Sequence, residues 1–251
     1  MMYGQSTFQP KQVGLDLKGV VYRNEVAVDF RLHTNGLALA LNLGKIKTYD
    51  QTTYLHFELG YMKDPRETKQ NRNIAIGSFG QSSPYAFGKV NHMFVMRAGW
   101  GYRKYLSEKA KRKGLAIGYN YEIGPALAVL KPYYLRLLYR EDADGRIVTD
   151  VRNERLTDEN RDLFFSQTDI YGGGGFFRGF GELGFTPGIQ AKGGVFFSLG
   201  AFDRLVKTVE AGIMVDVFPK KIAILQETDD ISNKPYFVNL YLNLQLGRRS
   251  N

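Results

Sequence analysis

The chain has 251 residues, 43% of them hydrophobic, with 28 Gly, 17 Phe and 16 Tyr but one Trp and no Cys; 34 basic against 25 acidic residues leave a net charge of +9. That length suits one all-β domain. The missing cysteine removes disulfides, zinc-thiolate sites and thiol nucleophiles together, and no run approaches the ~18 consecutive apolar residues of a membrane-spanning helix.

From the N-terminus, residues 1–12 form a segment ahead of the first strand, and Met1 to Pro10 contain no apolar h-region. Export would therefore call for a signal upstream of what is written. From residue 13 onward the dominant signal is strict alternation, which in a strand sends successive side chains to opposite faces. Strands are expected over 13–22, 25–33, 37–44, 52–62, 92–102, 114–124, 126–139, 188–201, 205–218 and 238–247. That makes about ten, with eight to twelve allowed by boundary placement. Most have the roughly 9 to 11 residues that a tilted strand needs to cross a bilayer.

Tight turns are expected at Arg23-Asn24, Thr34-Asn35-Gly36 and Gly124-Pro125, which would make the neighbouring strands antiparallel. Longer polar connections fall at 63–91, 140–187 and 219–234, and the sequence shows no domain boundary or internal repeat beyond the strand period. The single domain 1–251 thus reads as an antiparallel up-and-down barrel with two long loops.

The two faces separate a membrane barrel from a soluble one. One carries bulk: Val26, Val28, Phe30 and Leu32 in one strand, Val209, Ile213, Val215 and Val217 in another. The other mixes Gly and Ala with isolated charges, namely Asp16, Lys18, Glu25, Asp29, Arg31, Glu58, Arg97, Glu122, Lys192, Glu210 and Asp216. A narrow lumen suits that second face, because small residues make room while opposite charges pair across the interior. Tyr49, Tyr54, Tyr61, Trp100, Tyr102, Tyr105, Tyr139 and Tyr236 cluster near strand ends, as interfacial girdles do. Lys131 breaks the pattern: it falls on the apolar parity in mid-strand, and the neighbouring Pro132 offers a place for the parity to flip.

The closing segment Tyr236-Phe-Val-Asn-Leu-Tyr-Leu-Asn-Leu-Gln-Leu-Gly247 and the alternation before it resemble the small outer-membrane β-barrel proteins of Bacteroidota-type bacteria. The resemblance implies residence in the outer membrane, with its lipids and lipopolysaccharide as surroundings. It also implies roles as accessory subunits of barrel-assembly or type IX secretion complexes, or as small porins. The chain departs from the general pattern by running on through Arg248-Arg249-Ser250-Asn251 where an aromatic residue is common.

Little in the sequence points to chemistry. Gly179-Phe-Gly181-Glu-Leu-Gly184 has the spacing of a dinucleotide loop but is followed by Phe185-Thr-Pro187, which opens no helix, so no cofactor is expected. The run Gly172 to Gly175 reads as a flexible loop. His33, His56 and His92 are too scattered for a metal site, but His56 and Glu58 share the inward face one repeat apart and form a candidate lumen polar pair. Without a serine placed by motif, the chain is expected not to be an enzyme, the alternative being a lipid-modifying outer-membrane enzyme in which an inward Asp or Ser completes a set with His56 and Glu58. The basic run containing Arg103, Lys104, Lys109, Lys111, Arg112 and Lys113 is a candidate contact for lipid phosphate or an acidic partner. It forms no nucleic-acid module, so nucleic acid is not expected as a partner. Residues 141–162, with eight acids and four bases, are expected to form an exposed loop.

Overall fold

The computed structural model describes residues 22–72, 74–75, 80–106, 115–143, 146–199, 204–228 and 231–251. Eight long strands form a closed antiparallel barrel: β1 (Asn24–His33), β2 (Gly36–Ile46), β3 (Gln51–Met62), β6 (Asn91–Tyr105), β7 (Leu115–Pro132), β11 (Gly184–Leu199), β12 (Leu205–Val217) and β13 (Tyr236–Ser250). Each pairs with its predecessor among the eight, and β1 pairs with β13 from Asn24↔Ser250 to His33↔Tyr241 to close the wall. The meander is an outer-membrane-type β-barrel, and closure leaves no unpaired strand edge. No helix among the described residues is long and apolar enough to cross a membrane.

Eight strands replace the expected ten for two reasons. The strand expected at 13–22 lies, except for Tyr22, outside the described residues, and Arg23-Asn24 is no turn: the Arg23 amide donates to Ser250 O at 2.9 Å as part of the wall. The strand expected at 114–124 and the first half of that expected at 126–139 are one, because the chain runs straight through Gly124-Pro125 inside β7, while the second half belongs to a separate strand outside the barrel, Tyr134–Ala143. Proline lacks an amide donor, and the β6–β7 ladder omits the pairs opposite these two residues. It passes from Arg97↔Ala126 to Trp100↔Ile123 in an unchanged register. A Gly-Pro pair therefore interrupts a ladder here without turning the chain. The C-terminal Arg248, Arg249 and Ser250 belong to β13 and complete the wall.

The alternation holds throughout. In β1 the burial pattern is strictly periodic, with Val26, Val28, Phe30 and Leu32 open to the outside and Glu25, Ala27, Asp29 and Arg31 inside. Leu39, Phe57, Leu59, Ile123, Ile189, Ile213, Leu240 and Leu242 continue the outer face around the circumference. Such a continuous apolar band exceeds the few hundred Å² that a water-soluble monomer leaves uncovered and has the character of the outer face of a membrane barrel.

Long connections all leave the same end of the barrel, opposite the chain termini, and they fold together as a cap. The stretch expected as a loop at 140–187 carries β8 (Tyr134–Ala143), β9 (Arg146–Arg155), the short helix α1 (Arg161–Phe164) and β10 (Ile170–Gly173), in a sheet of order β10-β8-β9. The glycines expected to form a flexible loop begin inside that sheet, with Gly172 opposite Arg136. Likewise 63–91 contains a small ladder between β4 (Lys69–Gln70) and β5 (Tyr85–Ala86). The cap has its own core of Tyr85, Leu135, Leu137, Phe164 and Ile170. A separate apolar cluster lies at the barrel mouth, where Phe218, Ile222, Ile224 and Leu225 pack on the inward Met62, Met93, Val95, Ala126 and Ala128.

Candidate functional site

Below that apolar plug the lumen is filled by a charge network with charged members on seven of the eight barrel strands, β2 adding the polar Asn42. Six acids (Glu25, Asp29, Glu58, Glu122, Glu210 and Asp216) face five bases (Arg31, Arg97, Arg103, Lys192 and Arg249), all buried. An uncompensated ion in such a place would be expensive, so the near balance of signs is what allows the interior to be polar at all.

Glu58 on β3 is the hub. One carboxylate oxygen accepts from Arg97 Nη1 at 2.5 Å and the other from Arg31 Nη1. Arg97 then donates through Nε and Nη2 to both oxygens of Asp216, each at 2.7 Å, which completes a chain β1–β3–β6–β12 across the barrel. The bidentate geometry suits the planar guanidinium and adds directional specificity to the attraction.

His56 and Glu58 are neighbours on the inward face, as the sequence predicts, with Nε2 3.1 Å from Glu58 Oε2. Asn42 Oδ1 lies 2.6 Å from His56 Nδ1 and can only accept, so Nδ1 carries the proton and Nε2 presents its lone pair to Lys192 Nζ at 2.7 Å. Lys192 also reaches Glu122 Oε1 at 3.0 Å, and Gln190 Nε2 donates to the same oxygen at 2.9 Å. His56 is thus a bridging member of a network. Among the described residues its ring nitrogens meet Asn42, Glu58 and Lys192 and no serine or threonine hydroxyl.

Nearer the termini, Glu25 accepts from Arg103 Nη1 and from Arg249 Nε, each at 2.9 Å. This corrects the reading of Arg103 as a lipid-phosphate contact: its guanidinium points inward, lies over the rings of Tyr54 and Phe196 and is buried. Lys104 takes the opposite, outward parity at the end of β6, while Lys109, Lys111, Arg112 and Lys113 lie outside the described residues. Arg103 and Arg249 are the members of the network that sequence reasoning missed. Arg103 stands six residues from Arg97 and Arg249 six from Asn243, so both have inward parity. Parity was the available signal, and it was overridden by their membership in basic runs.

Glycine makes room for the large polar side chains. A Cβ on Gly101 would run into the Tyr54 ring, and one on Gly212 would come 2.7 Å from the Tyr241 hydroxyl that donates to Glu210 Oε1 at 2.5 Å. The small residues of the inward face are therefore complements of particular side chains as well as spacers.

At the junction of cap and barrel, a cavity of about 400 Å³ is bordered by Tyr61, Glu67, Lys89, His92, Tyr133 and Phe176. In its wall Lys89 Nζ donates to Glu67 Oε2 at 2.7 Å and to the Tyr61 hydroxyl at 3.2 Å. Burial pulls the Lys89 ammonium below its ordinary range, and the bond from Glu67 opposes that shift.

Lys131 lies at the end of β7, on the outward parity, so no flip occurs at Pro132 and the residue does not stand in mid-strand. It is 1% exposed because the loop before β11 covers it. Its Nζ donates to Phe176 O at 2.7 Å and to Arg178 O at 3.0 Å. The Gly179–Gly184 spacing lies in that loop and runs into β11, with no helix opening after it.

No protein-family model matches the chain. No curated protein matches it. Among solved structures the chain is similar to the N-terminal β-barrel domain of Pseudomonas aeruginosa OprF, at 8% identity and a TM-score of 0.35, over 91% of this chain and 97% of that one. The fold assignment rests on this chain's own strand order, closure and outer face.

Proposed function

We propose that the chain is a non-catalytic outer-membrane barrel whose lumen is sealed and whose structured cap makes contacts with other envelope proteins, as an accessory subunit of an envelope complex. The observation that carries this reading is the Arg31–Glu58–Arg97–Asp216 chain across the interior, with the plug of Phe218, Ile222 and Ile224 above it. A lumen so filled leaves no aqueous path, and buried pairs of this geometry do not open for solute at low cost. The pattern resemblance to small barrels of Bacteroidota-type bacteria, some of which serve barrel assembly or type IX secretion, supports the subunit role. Lipopolysaccharide and outer-membrane lipid are the expected surroundings.

Planar-bilayer recording on the reconstituted barrel tests the seal. No conductance steps are expected from the native chain, and regular steps would overturn the sealed reading in favour of a narrow channel. Native purification from detergent-solubilised envelopes, with a tag in the β8–β9 hairpin, tests the subunit role. Stoichiometric recovery of defined envelope proteins is expected, and a lone barrel would count against a complex.

A further inference from the structure

We propose that the loop 174–183 is a membrane-interface anchor, which lays Phe176, Phe177 and Phe180 into the headgroup layer of the bilayer around the barrel and sets Arg178 against lipid phosphate. The inference rests on the membrane reading of the barrel and adds to it a lipid-binding role for a segment of the cap.

The height of the loop on the wall comes first. Ten residues of β7 separate Tyr121, in the outward tyrosine cluster with Tyr102 at 5.3 Å between ring centroids, from Lys131. At about 3.4 Å of rise per residue and a tilt of about 40°, that is roughly 26 Å along the barrel axis, close to the height of an outer-membrane apolar band. Lys131 thus stands at the opposite boundary of the band from the tyrosines. The loop it holds lies at the same level.

The loop is also continuous with the lipid-facing wall. Phe176 packs edge-on against two outward residues of β6, with ring centroids 5.5 Å from His92 and 6.2 Å from Phe94. Gly175 and Gly179 take φ of +94° and +85°, left-handed conformations that turn the chain at the start and the middle of the loop and that a side chain would strain. Lys131 ties down the carbonyls of Phe176 and Arg178 from below, and its ammonium lies 4.9 Å and 5.2 Å from the Phe176 and Phe180 ring centroids. So built, the loop holds Phe177 out from the protein, 86% exposed, and leaves one side of Phe176 and Phe180 open, each 47% exposed. Three phenylalanines held open to water would be costly. At the level of the headgroups the same rings sit at the boundary of acyl chain and water, where aromatic side chains with a neighbouring cation bind well.

Depth-dependent quenching tests this with the native Trp100 as an internal reference, since Trp100 is the chain's one tryptophan and lies on the lipid-facing row. One protein keeps Trp100; a second carries W100F with F177W. Both are reconstituted in phosphatidylcholine–phosphatidylglycerol vesicles with a nitroxide either at the headgroup or deep in the acyl chain. Their folding is checked by gel mobility without heating. The tryptophan at 177 is expected to be quenched about twofold or more by the headgroup label and less by the deep one, in keeping with shallow interfacial burial. Adding K131M to the second protein releases the loop and is expected to abolish most of that quenching. Quenching of Trp100 with none at position 177 overturns the anchor and leaves the membrane barrel standing. Absence of quenching at both positions overturns the membrane reading and the anchor with it.

Discussion

Midway along the barrel the interior is filled by Arg31, Glu58, Arg97 and Asp216, whereas at the capped end of the same wall Met62, Met93 and Val95 close against Phe218, Ile222 and Ile224. The two regions fill one tube by different physics. Ion pairs are directional and depend on every partner, since each guanidinium or carboxylate is tolerable only while its opposite number is in place. Apolar packing is non-directional, and the loss of a methyl group costs only the area and space removed. The difference teaches where the barrel is specified and where it is merely filled.

Removing the hub should separate the two most sharply. Glu58→Ala strands the Arg31 and Arg97 guanidinia in a buried site and is expected to destabilise the barrel by about 3–5 kcal/mol, read from denaturant unfolding in detergent through Trp100 fluorescence. A loss under about 1 kcal/mol would mean that water or rearranged partners replace the carboxylate and that the network is not specifying. At the mouth, Ile224→Val shaves one methylene from the plug and should cost about 1 kcal/mol in the same measurement. A cost as large as that of Glu58→Ala would erase the contrast drawn above.

The smallest effect is expected outside both regions, on the cap side. The hydrogen bonds from Arg66 hold the Asp64 carboxyl below its ordinary range against an opposing effect of burial. A depressed carboxylate contributes stability above its unfolded pKa and loses it as pH falls through the folded one, so the contribution should fade on acidification below about pH 4. Arg66 is itself partly exposed, which limits the pair to about 0.5 kcal/mol. Comparison of native and Asp64→Asn unfolding at pH 7 and pH 3 checks this. A gap that widened at pH 3 would reverse the sign.

Much of the barrel was legible in the sequence, for a local reason. Alternation depends only on neighbouring residues, so Glu25, Asp29, Arg31, Glu58, Arg97, Glu122, Lys192, Glu210 and Asp216 could be placed inside before any strand was paired. The misreadings came where a local signal had two meanings. Gly124-Pro125 carries turn chemistry but sits in a strand whose other neighbour keeps its register, Gln190↔Gly124 and Ile189↔Pro125. Arg103 and Arg249 carry inward parity but stand beside other cations, and charge density misled where parity was right.

The sequence by itself determined which face meets lipid and which meets the lumen, because a period of two is a property of the extended backbone. Only the tertiary structure decided which charges pair. Arg249 and Glu25 are 224 residues apart, as Gln245 and Asp29 are 216 apart. Their meeting depends on the register at which β1 closes on β13. The cap followed the same rule: Lys131 reads as an error on the outer face until a loop more than forty residues later supplies the two carbonyls that accept its hydrogen bonds.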